Sequence, residues 1–144
     1  MTHEDAGKYG AKHPAGTTGE PTVVAALQRE AADGRLSCAT AHRAAETLGV
    51  TPAEIGRTAD LLEYRIVECQ MGLFGYSPEK RIVKPADDVS EHLRTRLLSL
   101  AADGGISCAS CWMIADSLGM EKMAVAAACE ALGIKVKHCQ LGAF

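Results

Sequence analysis

Displaced by 70 residues, this chain matches itself: positions 27–74 lie over 97–144 without a gap, and 16 of the 48 pairs are identical. Ala-Ala-Asp-Gly-Arg-Leu-Ser-Cys-Ala at 31–39 answers Ala-Ala-Asp-Gly-Gly-Ile-Ser-Cys-Ala at 101–109, and Cys-Gln-x-Gly-x-Phe closes both copies, at 69–74 and 139–144. Longer solenoids need several stacked repeats to bury a continuous core, so two copies are expected to form a pseudo-two-fold pair of small units. The chain divides accordingly into an arm (1–21), unit one (22–74), a connector (75–88) and unit two (89–144). The arm is rich in Gly, Thr, Pro and charge and poor in large apolar residues, which predicts a mobile segment.

Within unit one, Thr-Val-Val-Ala-Ala-Leu-Gln-Arg-Glu has helical apolar periodicity and is expected to run to Gly34. A second helix is expected between Ser37, a side-chain cap, and Gly49, a left-handed stop. Thr51, Pro52 and Glu54 then form the signature of a capped third helix, which leads to the strand-like Arg-Ile-Val-Glu-Cys-Gln. Unit two repeats the order, with helices near 89–103, 107–118 and 121–133 and a strand near 134–140. Asp87 and Asp88 stand where a helix N-terminus favours negative charge. In the connector, Gly75 and Pro78 mark a turn, and Arg81–Lys84 is expected to fold back on Arg65–Gln70 as a strand. The fold class is thus mainly α with short β-strands.

The pattern Ala45, Gly49, Ile55, repeated as Ala115, Gly119, Val125, resembles the helix-turn-helix of DNA-binding proteins. With a helix before it and a strand or hairpin after it, each unit is similar to a winged helix. The layout as a whole also resembles a family of bacterial proteins ending in Cys-Gln-Leu-Gly-x-Phe. The superfamily resemblance implies that the small residue lets two helices approach, that the glycine makes the turn and that the β-branched residue fills the angle. It further implies transcriptional regulation through DNA.

Charge tempers that implication. The third helix of unit one carries Glu54, Arg57, Asp60 and Glu63, and its counterpart in unit two is alanine-rich, whereas a DNA reader presents Arg, Lys, Asn, Gln, Ser or Thr. The net charge of −3 also argues against coating nucleic acid by charge alone. The DNA-contact candidates are Thr51, Ala53 and Arg57 on the helix, Lys80, Arg81 and Lys84 in the connector as a wing, and Lys135 and Lys137 in the final strand; Lys8 and Lys12 lie in the arm. A protein-interaction module of the same fold is the alternative.

Six cysteines without an export signal suggest reduced thiols. Cys38, Cys69, Cys108 and Cys139 stand at matching positions and in a pseudo-symmetric pair could converge on zinc or an iron–sulfur cluster. Cys108 and Cys111 have the C-x-x-C spacing of a metal knuckle or redox pair, but Ala41 replaces the second cysteine in unit one. Structural thiols are the simpler expectation, no cofactor being required; Cys129, opposite Ala59, reads as core. The histidines do not cluster, and His138 beside Cys139 is the one weak ligand candidate. No glycine-rich phosphate loop and no nucleophile with an evident base is visible, so the chain is not expected to be an enzyme. Without a long apolar run or signal segment it is expected to be cytoplasmic, with no membrane partner.

The repeated ending is expected to seal each unit. Val67 and Cys69 would share one strand face and Ile66 and Gln70 the other, with Phe74 and Phe144 covering the core. The two final strands are expected to meet in a small central sheet, and Phe144→Ala to cost about 3 kcal/mol or more.

Overall fold

The side chain of Ser37 accepts a hydrogen bond from Thr40 N, that of Thr51 from Glu54 N, that of Ser90 from Leu93 N and that of Ser107 from Ser110 N. These short hydroxyls satisfy amides that a helix start leaves without partners, and they fix four of the six α-helices among the described residues. The computed structural model describes residues 7–144; the part of the expected arm at residues 1–6 lies outside the described residues.

One unit comprises the chain up to Cys69 together with Gln140–Phe144, and the other comprises Gln70–Cys139. The first contains α1 (Pro21–Glu30), β1 (Arg35–Ser37), α2 (Cys38–Leu48), α3 (Pro52–Leu61) and β2 (Arg65–Val67). The second contains α4 (Glu91–Leu100), β3 (Gly105–Ser107), α5 (Cys108–Leu118), α6 (Lys122–Leu132) and β4 (Lys135–Lys137), in the same order. The protein is therefore mainly helical with short strands. No helix among the described residues is long and apolar enough to cross a membrane.

Three expected helix boundaries are corrected. Helix α1 stops at Glu30 rather than near Gly34, because Asp33 and Gly34 both take positive φ in a two-residue turn, and Ala32 and Arg35 exchange backbone hydrogen bonds across it. Asp-Gly is a strong turn pair because neither residue resists the left-handed region as a branched side chain would. Asp103 and Gly104 end α4 in the same way. Helix α4 begins after Ser90, so Asp87 and Asp88 lie upstream of its cap.

The strands also pair differently from the expectation. β1 runs parallel to β2, with Leu36 opposite Ile66, and β3 runs parallel to β4, with Ile106 opposite Val136. Each final strand thus pairs inside its own two-stranded sheet, and the expected central sheet is not formed. Leu36, Ile66 and Ile106 are buried, so in-register pairing directs apolar side chains into the helices of the same unit. The connector segment 81–84 is not a strand; instead Ile82 N and Val83 N both donate to Gly72 O.

The core of the first unit is Val23, Leu27, Leu36, Ile55 and Ile66, closed by Leu141; that of the second is Leu93, Leu97, Ile106, Ile114 and Val125, closed by Met71. The residues that follow Cys69 therefore belong to the second unit, and those that follow Cys139 to the first. Leu141 and Ala143 are buried whereas Phe144 is 43% exposed, so the terminal ring is not the seal that the sequence suggests.

Within the expected arm, residues 9–13 are docked, whereas residues 14–16, Thr18 and Glu20 are exposed. Tyr9 is buried in a 3-10 turn (Tyr9–Lys12), and the carboxylate of Glu63 accepts hydrogen bonds from Tyr9 N at 2.9 Å and Gly10 N at 2.8 Å. Asp60 Oδ2 lies 2.7 Å from His13 Nε2 and 3.2 Å from Lys12 Nζ, which also donates to Gly142 O. Charge and a buried aromatic ring hold the segment against α3.

Candidate nucleic-acid interface

In the first unit the chain leaves α2 through Gly49, at φ 67° and ψ 32°, and enters α3 under the Thr51 cap. Val50 N reaches back to Ala45 O, which ties the turn to the helix it leaves. Ala45 and Ile55 are both buried at the angle between the two helices. Gly119, at φ 64°, makes the corresponding turn between α5 and α6, with Ala115 and Val125 buried. Its following helix begins at Glu121 without a side-chain cap bond. Glycine suits these left-handed positions because on any other residue a β-carbon would crowd the carbonyl that follows it.

The candidate contact residues are distributed between the units. Thr51, Ala53 and Arg57 lie in the first, but the Thr51 hydroxyl is committed to its cap and Arg57 is ion-paired with Glu54 on the same helix. Lys80, Arg81, Lys84, Lys135 and Lys137 lie in the second. There Arg81 is paired with Glu130, and Lys84 with Glu79 at 3.6 Å. Lys135 is exposed, while the stem of Lys137 lies over Gly105, where a side chain would collide with it. Three of the candidate cations thus carry a carboxylate with them, which reduces what each offers to a phosphate.

Another set of cations did not stand out in the sequence. Arg35 and Arg65 open β1 and β2 and are register partners, so both side chains leave the ladder on one face. Arg29 and Arg43 line a shallow groove of about 110 Å³ between α1 and α2, together with Glu30, Thr40, Thr47 and Leu48. The matching positions in the other unit are Gly105, Lys135, Ser99 and Met113. No local motif links Arg35 to Arg65; strand pairing alone makes them neighbours.

The proposed metal ligands do not assemble. Cys38 and Cys69 are buried in the first unit; Cys108 and Cys111 are buried on α5 and Cys139 is half-buried after β4 in the second. Among the described residues, no group of three or more His, Cys, Asp or Glu side chains is placed to hold a metal ion. His138 is exposed, at positive φ, beside Cys139.

Compared with protein-family models, curated proteins and solved structures, the chain matches none of them.

Proposed function

We propose that this chain is a non-enzymatic DNA-binding protein of helix-turn-helix type, acting in the cytoplasm as a regulator, with α3 and the β1–β2 pair as its DNA-facing elements. The observation that carries this reading is the capped helix entered through a left-handed glycine, with a small and a β-branched residue buried at the angle. Arg35 and Arg65 take the part that a wing plays in related architectures, while Arg57 on α3 is paired with Glu54. Phosphate contacts by such residues position a protein on a duplex, while the near-neutral face of α3 leaves little direct base readout.

The test is duplex-DNA affinity as a function of salt, alongside immunoprecipitation of the tagged protein and sequencing of the recovered DNA. Each phosphate contact contributes roughly 0.9 to the slope of log K against log salt. Arg35→Ala and Arg65→Ala should each flatten that slope, and Arg57→Ala should do so less because Glu54 already pairs with that guanidinium. A salt-independent affinity, or a flat genomic profile from well-recovered protein, overturns the reading.

A second reading, a protein-interaction module, is favoured by a different observation. Leu98, Leu100 and Met113 are exposed on α4 and α5, where the matching residues of the first unit are Gln28, Glu30 and Arg43. Protein partners recovered in the same immunoprecipitate, without enriched DNA, would support it.

A further inference from the structure

The two units build the same pair of helices with different chemistry on its outer side. Arg29 and Glu30 at the end of α1, with Thr40, Arg43 and Thr47 of α2, line a shallow groove of about 110 Å³. At the matching positions of the second unit stand Ser99, Leu100, Ser110, Met113 and Ser117. Thr40 and Ser110 each share a hydroxyl contact with the serine that caps their helix. The scaffold and its hydroxyls are thus common to both units, whereas the two guanidiniums belong to the first alone.

These donors are available to a ligand. Arg57 and Arg81 carry carboxylate partners, but Arg29 and Arg43 have none among the described residues. Arg43 Nη2 instead donates to Thr40 Oγ1 at 3.3 Å, and the Ser37 hydroxyl donates to the same oxygen at 2.8 Å. A hydroxyl oxygen accepts two hydrogen bonds and donates one, so with both acceptor sites taken the Thr40 O–H has a proton left to donate. Both arginines are exposed.

We propose that the groove between α1 and α2 binds the phosphoryl group of a small phosphate monoester. Such a group presents three terminal oxygens, and a guanidinium fork pairs with them two at a time. Arg29 supplies one fork, Arg43 the N–H groups that Thr40 does not take, and Thr40 and Thr47 a hydroxyl each. A carboxylate has two oxygens and leaves part of this set unmatched. A DNA phosphate is a diester with two terminal oxygens and a single charge, so the site is distinct from Arg35 and Arg65 and does not depend on DNA binding. The groove is several times larger than the roughly 10–15 Å³ that one water requires, which admits the phosphoryl head while the rest of the ester lies along the open side. Glu30 opposes the charge of the ligand but is outnumbered by the two guanidiniums.

The experiment titrates the full ¹⁵N-labelled chain, in a phosphate-free buffer at constant ionic strength, with glycerol 3-phosphate, and in parallel with dimethyl phosphate and with acetate. The monoester should give saturable shifts of the Thr40, Arg43 and Thr47 amides and of the Arg29 and Arg43 Nε–H signals. Ser110, Met113 and Ser117, the matching residues of the second unit, should stay in place. Arg29→Ser and Arg43→Met, which install the second unit's residues, should each raise Kd by about tenfold or more. Arg43→Lys keeps the charge without the fork and should also weaken binding, whereas Glu30→Gln should tighten it. The spectra themselves report whether each variant is folded. Shifts that do not saturate, equal shifts in the two units, dimethyl phosphate or acetate binding as tightly as the monoester, or an affinity unchanged by the arginine substitutions overturns the proposal.

Discussion

The backbone of Leu141 occupies the space that a side chain on Gly56 would need, with the Leu141 carbonyl oxygen nearest to where that β-carbon would stand. Both residues are buried in the same unit, and Gly56 lies inside α3, where glycine is otherwise a poor choice. The glycine is therefore retained for close approach of the tail.

Gly56→Ala tests this by sign. At an ordinary helical position the change stabilises by about 1 kcal/mol through helix propensity. Here alanine must displace backbone rather than a flexible side-chain end, and a net loss of about 1–3 kcal/mol is expected. A urea melt reads the difference. A neutral or stabilising result would mean that the tail does not seat against α3.

The two ends of the tail should respond oppositely to truncation. Leu141 is 1% exposed and closes the core of its unit, so Leu141→Ala should cost about 2–5 kcal/mol. Phe144, on the outside, should lose about 0.5 kcal/mol or less on substitution by alanine. Paired denaturant titrations of the two variants decide which residue is the plug.

The contact between α3 and residues 9–13 carries an asymmetry. The Asp60 side chain is 3% exposed, whereas Lys12 and His13 are 28% and 21% exposed. Asp60→Asn frees the side chains of Lys12 and His13, which can turn toward water. Lys12→Ala combined with His13→Ala instead strands a buried carboxylate whose Oδ1 already has no hydrogen-bond partner. The double variant should lose about 3–5 kcal/mol and Asp60→Asn clearly less. Amide exchange at Tyr9 and Gly10 would report release of the segment in each case.

The caps make a further distinction. Thr51→Ala removes a hydroxyl bonded to Glu54 N and should cost about 1 kcal/mol. Glu121→Ala, at the same place before α6, removes no cap bond and should be nearly silent in thermal melts. A fall in DNA affinity on Thr51→Ala is therefore attributable to base or phosphate contact only after this stability loss has been measured.

Where helices begin and turns fall was legible in the sequence, because the forces involved act over three or four residues. Ser37 and Thr51 supply an oxygen to a nearby amide, and Gly49 and Gly119 enter a backbone region that other residues resist. The Asp-Gly pairs were equally local, but the helical periodicity before them disguised a turn as a helix end. The partner of Arg-Ile-Val was a different matter. A three-residue strand has no preference of its own between a neighbouring strand in the same unit and its twin in the other; burial of Leu36 beside Ile66 settled the choice. Likewise, nothing in Cys-Gln-Leu-Gly-Ala-Phe states that leucine rather than phenylalanine enters a core, or that this core is the one containing Gly56. Those outcomes, with the docking of Tyr9 and the pairing of Arg35 with Arg65, depend on contacts between residues far apart in the chain. The sequence by itself determined the local conformations and their repetition; only the tertiary structure decided which apolar surfaces close on one another, since burial free energy depends on partners brought together by the whole fold.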